Sequence, residues 1–123
     1  MSWHPLSILP RPGSALARLG ALGIVVLVAG LSLMPNLAVP DAAPGRSDLV
    51  IHLVMQGTLG FALVRGWPGS PTRVACVLAV LVMGLELGQL WVPGREFAVP
   101  DLLSNTLGAG LGGLLAWRTI RTG

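Results

Sequence analysis

Four stretches of this chain are nearly free of charge, and proline, glycine or arginine fences each of them. Residues 19–34 (LGALGIVVLVAGLSLM) carry no ionisable group and stop at Pro35. A second apolar run covers about 49–64 after Asp48, a third about 74–92, and a fourth about 101–117. The connecting segments 35–47 (PNLAVPDAAPGRS), 65–73 (RGWPGSPTR) and 93–100 are dense in Pro and Gly, which end helices and turn the chain. The pattern predicts an all-α bundle of four transmembrane helices with short loops, so that sequence neighbours run antiparallel. Several runs are 16–17 residues long. That is under the roughly 20 needed for full hydrocarbon thickness, a shortfall that polar ends or local thinning accommodate.

Composition turns this from a buried-core pattern into a membrane pattern. The chain has 123 residues, 53% of them hydrophobic and only 11% charged, with a mean hydropathy of +0.76. A soluble domain carries about 25% charged residues, and this chain has too few to cover a soluble surface. The first run has a basic lead, as a signal peptide would. Its length and the lack of an Ala-x-Ala site after it favour a retained helix. The high isoelectric point does not indicate nucleic acid: all eight basic residues are arginines, spread singly rather than clustered. Cys76 lies inside an apolar run, as a small core or lipid-facing residue.

The arginines instead set orientation. The N-terminal segment (Arg11, Arg18), the second connection (Arg65, Arg73) and the C-terminal segment (Arg118, Arg121) hold six, against Arg46 and Arg95 on the other side. By the positive-inside rule both termini are cytoplasmic. Residues 1–18 then form a cytoplasmic segment, 19–118 a four-helix transmembrane domain, and 119–123 a short cytoplasmic tail.

This topology gathers polar residues at one end, because the second helix starts there, the third ends there and the fourth starts there. Asp48, His52 and Gln56 recur every four residues, Glu86 and Gln89 are three apart, and Asp101, Asn105, Gly108 and Gly112 step by 4, 3 and 4. Each set therefore shares a helix face. Glu86 lies six residues from its helix end, roughly 9 Å deep, and His52 four residues in, roughly 6 Å deep. Burying ionisable groups in lipid is costly, so these stripes are expected to face one another in a polar pocket open to the extracytoplasmic side.

Simpler uses exist for most of these residues. Asp48 and Asp101 suit helix N-caps. His52 has Asp48 one turn before it. Gln89 and Asn105 can bridge helices, and Gly84-xxx-Gly88 and Gly108-xxx-Gly112 let helices approach. Glu86 resists a structural account unless it pairs with Arg95. His52 as the one histidine within the apolar runs, with no HExxH and no CxxC, argues against a metal, and no cofactor is implied.

Asp48-x-x-x-His52, Glu86-x-x-Gln89, Pro93-Gly94-Arg95-x-Phe97 and Asp101-x-x-x-Asn105-x-x-Gly108, in this order, resemble the VanZ-like family. The resemblance covers roughly residues 30–117. Leu49, Gln56 and Ala98 stand where that family often has Lys, Tyr and Ser. Members are small multi-helix bacterial membrane proteins, and the founding one is associated with teicoplanin resistance, so a bacterial inner-membrane location and a cell-envelope role are implied. The expected partners are membrane lipids and an anionic envelope ligand or a lipid-linked cell-wall component. The residues leave oligomeric state open.

Three functions compete. A binding or resistance protein would use Arg95 on an anionic group, with Gln89, Asn105, Asp48 and Gln56 around it. An enzyme on a lipid-linked substrate would use Glu86 as general acid or base with His52 and Asp101. A structural or assembly subunit would use the polar stripe only to set helix register. No inverted repeat points to a transporter.

Overall fold

The computed structural model describes residues 5–33, 46–92 and 99–122, with their side chains except at positions 5, 6, 46–48 and 122. Among the described residues the regular structure is helical throughout, with no strand. α1 is Ala15–Leu33, α2 Arg46–Gly66, α3 Pro71–Gly88 and α4 Val99–Thr122, with 3-10 turns at Pro5–Ile8 and Gln89–Trp91.

The apolar pattern located the helices but misplaced their ends. α1 begins at Ala15 rather than residue 19, because the Ser14 hydroxyl accepts the Ala17 amide at 3.1 Å as an N-cap. Arg18 is thus inside the helix. α3 starts at Pro71, where proline's missing N–H costs nothing and its fixed φ suits a first turn, so Arg73 is helical too. α3 ends at Gly88 instead of 92, tightening into the 3-10 turn. α2 begins at Arg46 and α4 at Val99, which puts Asp48 and Asp101 in first turns rather than at N-cap positions.

Contacts at both ends fix the directions. The Gly13 amide, at φ 76°, donates to the Arg65 carbonyl at 2.7 Å, joining the start of α1 to the end of α2. That φ lies in the left-handed region that glycine tolerates. At the far end the Gln89 side-chain amide donates to the Ser32 carbonyl at 3.1 Å. α1 is therefore antiparallel to α2 and parallel to α3.

α2 and α4 run parallel in tight register. Ser104 Oγ donates to the Leu49 carbonyl at 2.8 Å, and fifteen residues on, Arg65 Nη1 donates to Thr119 Oγ1 at 3.2 Å. Between these bonds the backbones touch through glycine. A Cβ on Gly108 would lie 2.5 Å from the Leu53 carbonyl oxygen, and Cβ atoms on Gly112 and Gly60 would overlap the carbonyls of Gly57 and Ala109. This is the close approach small residues permit in membranes. The Gly84-xxx-Gly88 pattern does not act the same way. A Cβ on Gly84 meets nothing within 4 Å, and one on Gly88 meets only the tip of the Leu33 side chain. Leu59, Leu63, Leu78, Val82, Val28 and Ala109 are central to the remaining core.

The outside is more apolar than the inside. Leu59 and Gln56 are equally buried at 1% exposure, Glu86 is at 0%, and Val26 and Val80 are 71% exposed. Exposed apolar surface on every helix suits a lipid surround. Among the described residues three helical stretches are long and apolar enough to cross a membrane: Ala15–Leu33, Leu49–Gly66 and Pro71–Trp91. α4 is not among them, since its inner face carries Asp101, Asn105 and the seam glycines. Its outer face nonetheless presents Leu103, Leu107, Leu111, Leu114 and Leu115.

The end where α2 finishes is held by Arg65. Only 8% exposed, it lies with Cζ 5.9 Å from the centroid of the Phe61 ring and donates from Nη2 to the Pro10 carbonyl at 2.7 Å. Arg65→Met is expected to release the segment ahead of α1, raising its proteinase K cleavage rate about tenfold, the factor that ~1.4 kcal/mol of lost hydrogen bonding gives. An unchanged rate would show that Gly13 alone holds this segment.

Candidate functional site

Parallel α2 and α4 bring both their N-terminal turns to one end, where antiparallel α3 delivers its C-terminal turn. At this end Glu86 of α3 is fully buried and its Oε2 accepts a hydrogen bond from Asn105 Nδ2 of α4 at 3.2 Å. Glu86 and Asn105 were both predicted from spacing, and the structure joins them. One turn toward the helix ends, His52 Nε2 of α2 faces Asp101 Oδ2 of α4 at 4.0 Å. That is too long for a hydrogen bond but close enough for an ion pair when the imidazole carries a proton. His52 thus faces a carboxylate across the seam; the side chain of Asp48, one turn before it on its own helix, lies outside the described residues.

The α2–α4 register sets this geometry. The Ser104–Leu49 bond and the Gly108–Leu53 contact lie next to the His52–Asp101 and Asn105 levels, so a slip along the seam would separate the pairs. Nothing in the helix spacing singles out Ser104. Its donation to a backbone carbonyl of another helix has no sequence signature.

Two acceptors in this region stand without partners among the described residues. Asn105 Oδ1 and Gln56 Oε1 are both buried. A buried unpaired acceptor loses its hydration without return, typically about 1–3 kcal/mol, and such groups call for an explanation. Gln56 is 1% exposed and one helical turn deeper than His52. Gln89, expected beside Glu86 as a ligand-binding group, is 3% exposed and gives its amide to α1. It thereby satisfies one of the carbonyls that a helix C-terminus leaves open.

Arg95, with the rest of Pro93-Gly94-Arg95-x-Phe97, and the side chain of Asp48 lie outside the described residues. Among the described residues no three His, Cys, Asp or Glu side chains are grouped as metal ligands. The larger grooves have apolar walls. One of about 340 Å³ between α3 and α4 is lined by Leu78, Val82, Met83 and Leu102, with Thr106 at its edge.

Sequence comparison returned one kind of match. No curated protein and no solved structure matched the chain. The VanZ/LLP1 family model matches residues 46–121, a span that begins with α2 and includes all of α3 and nearly all of α4. Glu86, Asn105, His52, Asp101 and Gln56 all fall within it, whereas α1 and the Ser32 carbonyl that Gln89 grips precede it. With its apolar helices and a match over more than half its length, the chain is a membrane protein that belongs to the VanZ/LLP1 family.

Proposed function

We propose that the protein crosses a bacterial inner membrane four times, with both termini cytoplasmic, and binds a cell-envelope component at its carboxylate-rich end. Six arginines fall by sequence at the opposite end, and by the same topology all five carboxylates (Asp41, Asp48, Glu86, Glu96, Asp101) fall in or near the segments of this end. α4 has 24 residues, roughly 36 Å of helix, and its exposed leucine stripe supports its lying in lipid. The observation that carries the binding reading is the cluster itself. Glu86 with Asn105 and His52 with Asp101 come from three helices, and Asn105 Oδ1 and Gln56 Oε1 remain buried and unmatched. Those oxygens suit a donor-bearing ligand entering from the extracytoplasmic side. Arg95 is assigned to the ligand's anionic group, a phosphate or carboxylate, through its bidentate fork. A glycopeptide-resistance-type role is consistent with such recognition.

A second reading rests on the His52–Asp101 pair beside a buried Glu86. That arrangement suits general acid–base work on a lipid-linked substrate. Mass spectrometry of species co-purifying with wild type, Glu86→Gln and Arg95→Ala separates the readings. Binding predicts one species held by wild type and Glu86→Gln, and lost at least about tenfold in Arg95→Ala, as ~1.4 kcal/mol of lost contact gives. A species trapped by Glu86→Gln alone would establish turnover. Empty preparations of all three would leave the cluster a structural device for helix register.

A further inference from the structure

The opposite end of the bundle holds a second feature, which the envelope-binding reading does not use. A groove of about 430 Å³ opens between α1, the α2–α3 turn and α3. Its walls are Leu22, Val25, Val77 and Leu81, and its mouth is Trp67, Ser70 and Arg73. From Arg73 to Leu81 the groove follows α3 for eight residues, roughly 12 Å toward the bundle centre. Arg18 stands at the same mouth. Its Cζ is 5.7 Å from the centroid of the Trp67 ring, and its Nε donates to the Gly66 carbonyl at 3.2 Å. That single bond leaves the two terminal guanidinium nitrogens of Arg18 available. Both Arg18 and Arg73 are exposed.

One cation over the tryptophan and a second in the groove lining therefore stand at the head of an apolar slot, and among the described residues neither meets a carboxylate. By sequence no Asp or Glu lies anywhere between residues 1 and 40 or between 49 and 85, the segments that build this end. Cations at one mouth with no carboxylate beside them favour an anion that both can reach. Arginine is the cation suited to phosphate, and tryptophan sits favourably at headgroup depth. The slot continues from this charged mouth into the apolar body of the protein, as an acyl chain continues from its headgroup.

We propose that this groove is a binding site for an anionic glycerophospholipid, its phosphate held between Arg18 and Arg73 and one acyl chain lying along Leu22, Val25, Val77 and Leu81. Net negative charge on the headgroup, beyond the phosphate alone, is what the carboxylate-free collar selects.

The test is native mass spectrometry of the full chain in detergent, titrated with phosphatidylglycerol or phosphatidylcholine. Wild type is expected to hold phosphatidylglycerol at least fivefold more tightly. Arg73→Gln, which has no intramolecular bond to lose, is expected to weaken phosphatidylglycerol about tenfold, the change that ~1.4 kcal/mol of lost contact gives. The same step should leave phosphatidylcholine nearly unchanged. Arg18→Gln adds to this loss, and its fold is checked by circular dichroism because of the Gly66 bond. Val77→Trp, filling the slot, should weaken both lipids. Arg121→Gln removes the same charge from α4, away from the groove, and should change neither. Equal affinity for the two lipids overturns the proposal. So does a loss in Arg121→Gln as large as in Arg73→Gln, since general attraction to the arginine collar then suffices. A protein dimer that Val77→Trp dissociates would give the groove to a second copy of the chain instead.

Discussion

Gly112→Ala is expected to destabilise the protein by about 3 kcal/mol or more, the upper range for overpacking a tight interior. Gly110→Ala, two residues away on the same helix, should be neutral or stabilising by up to ~1 kcal/mol through helix propensity. The difference lies in what each new methyl meets. At Gly110 there is nothing within 4 Å, while at Gly112 the Cβ would overlap the Gly57 carbonyl of α2. A backbone carbonyl held in its own helix cannot rotate aside, so the whole α2–α4 pair must separate. The same separation would pull Ser104 from the Leu49 carbonyl and Asp101 from His52. Loss of stability and loss of the carboxylate-end cluster should therefore come together. Unfolding in mixed micelles, with the two alanine variants side by side, checks the claim. Equal midpoints for both would mean that the seam tolerates separation and does not set the register.

Much of this arrangement was legible in the residues, and the exceptions share a cause. Charge-free runs located all four helices, because excluding ionisable groups from lipid acts over a whole segment. Helix ends were misplaced because they depend on single local bonds, such as the Ser14 hydroxyl on the Ala17 amide. The meeting of Glu86 and Asn105 followed from topology and spacing. The approach of Asp101 to His52 did not, since it depends on the α2–α4 register, which the spacing does not contain. Gly84-xxx-Gly88 and Gly108-xxx-Gly112 are identical as patterns, yet only the second faces another backbone. The burial of Arg65 was invisible for a related reason. Its described hydrogen-bond acceptors, the Pro10 carbonyl and the Thr119 hydroxyl, are neutral, so no charge pattern announces them.

The second large effect concerns Asn105. Asn105→Leu is expected to cost about 1–3 kcal/mol, the cost of depriving a buried polar group of a partner, because a fully buried Glu86 loses a donor. Glu86→Met combined with Asn105→Leu should recover most of that loss, to within about 1 kcal/mol of wild type. Replacing both members of a buried polar pair by apolar groups of similar volume is often neutral or better, whereas removing one is not. The leucine also removes the unpaired Asn105 Oδ1, a further gain for the folded state. If stability alone explained the cluster, the double variant would be as good a protein as the original. Envelope binding predicts otherwise: the double variant should unfold like wild type and purify without the species that wild type holds. A double variant that is stable and still occupied would reduce Glu86 and Asn105 to packing, and would move the binding site to Arg95 and the segments that join the helices.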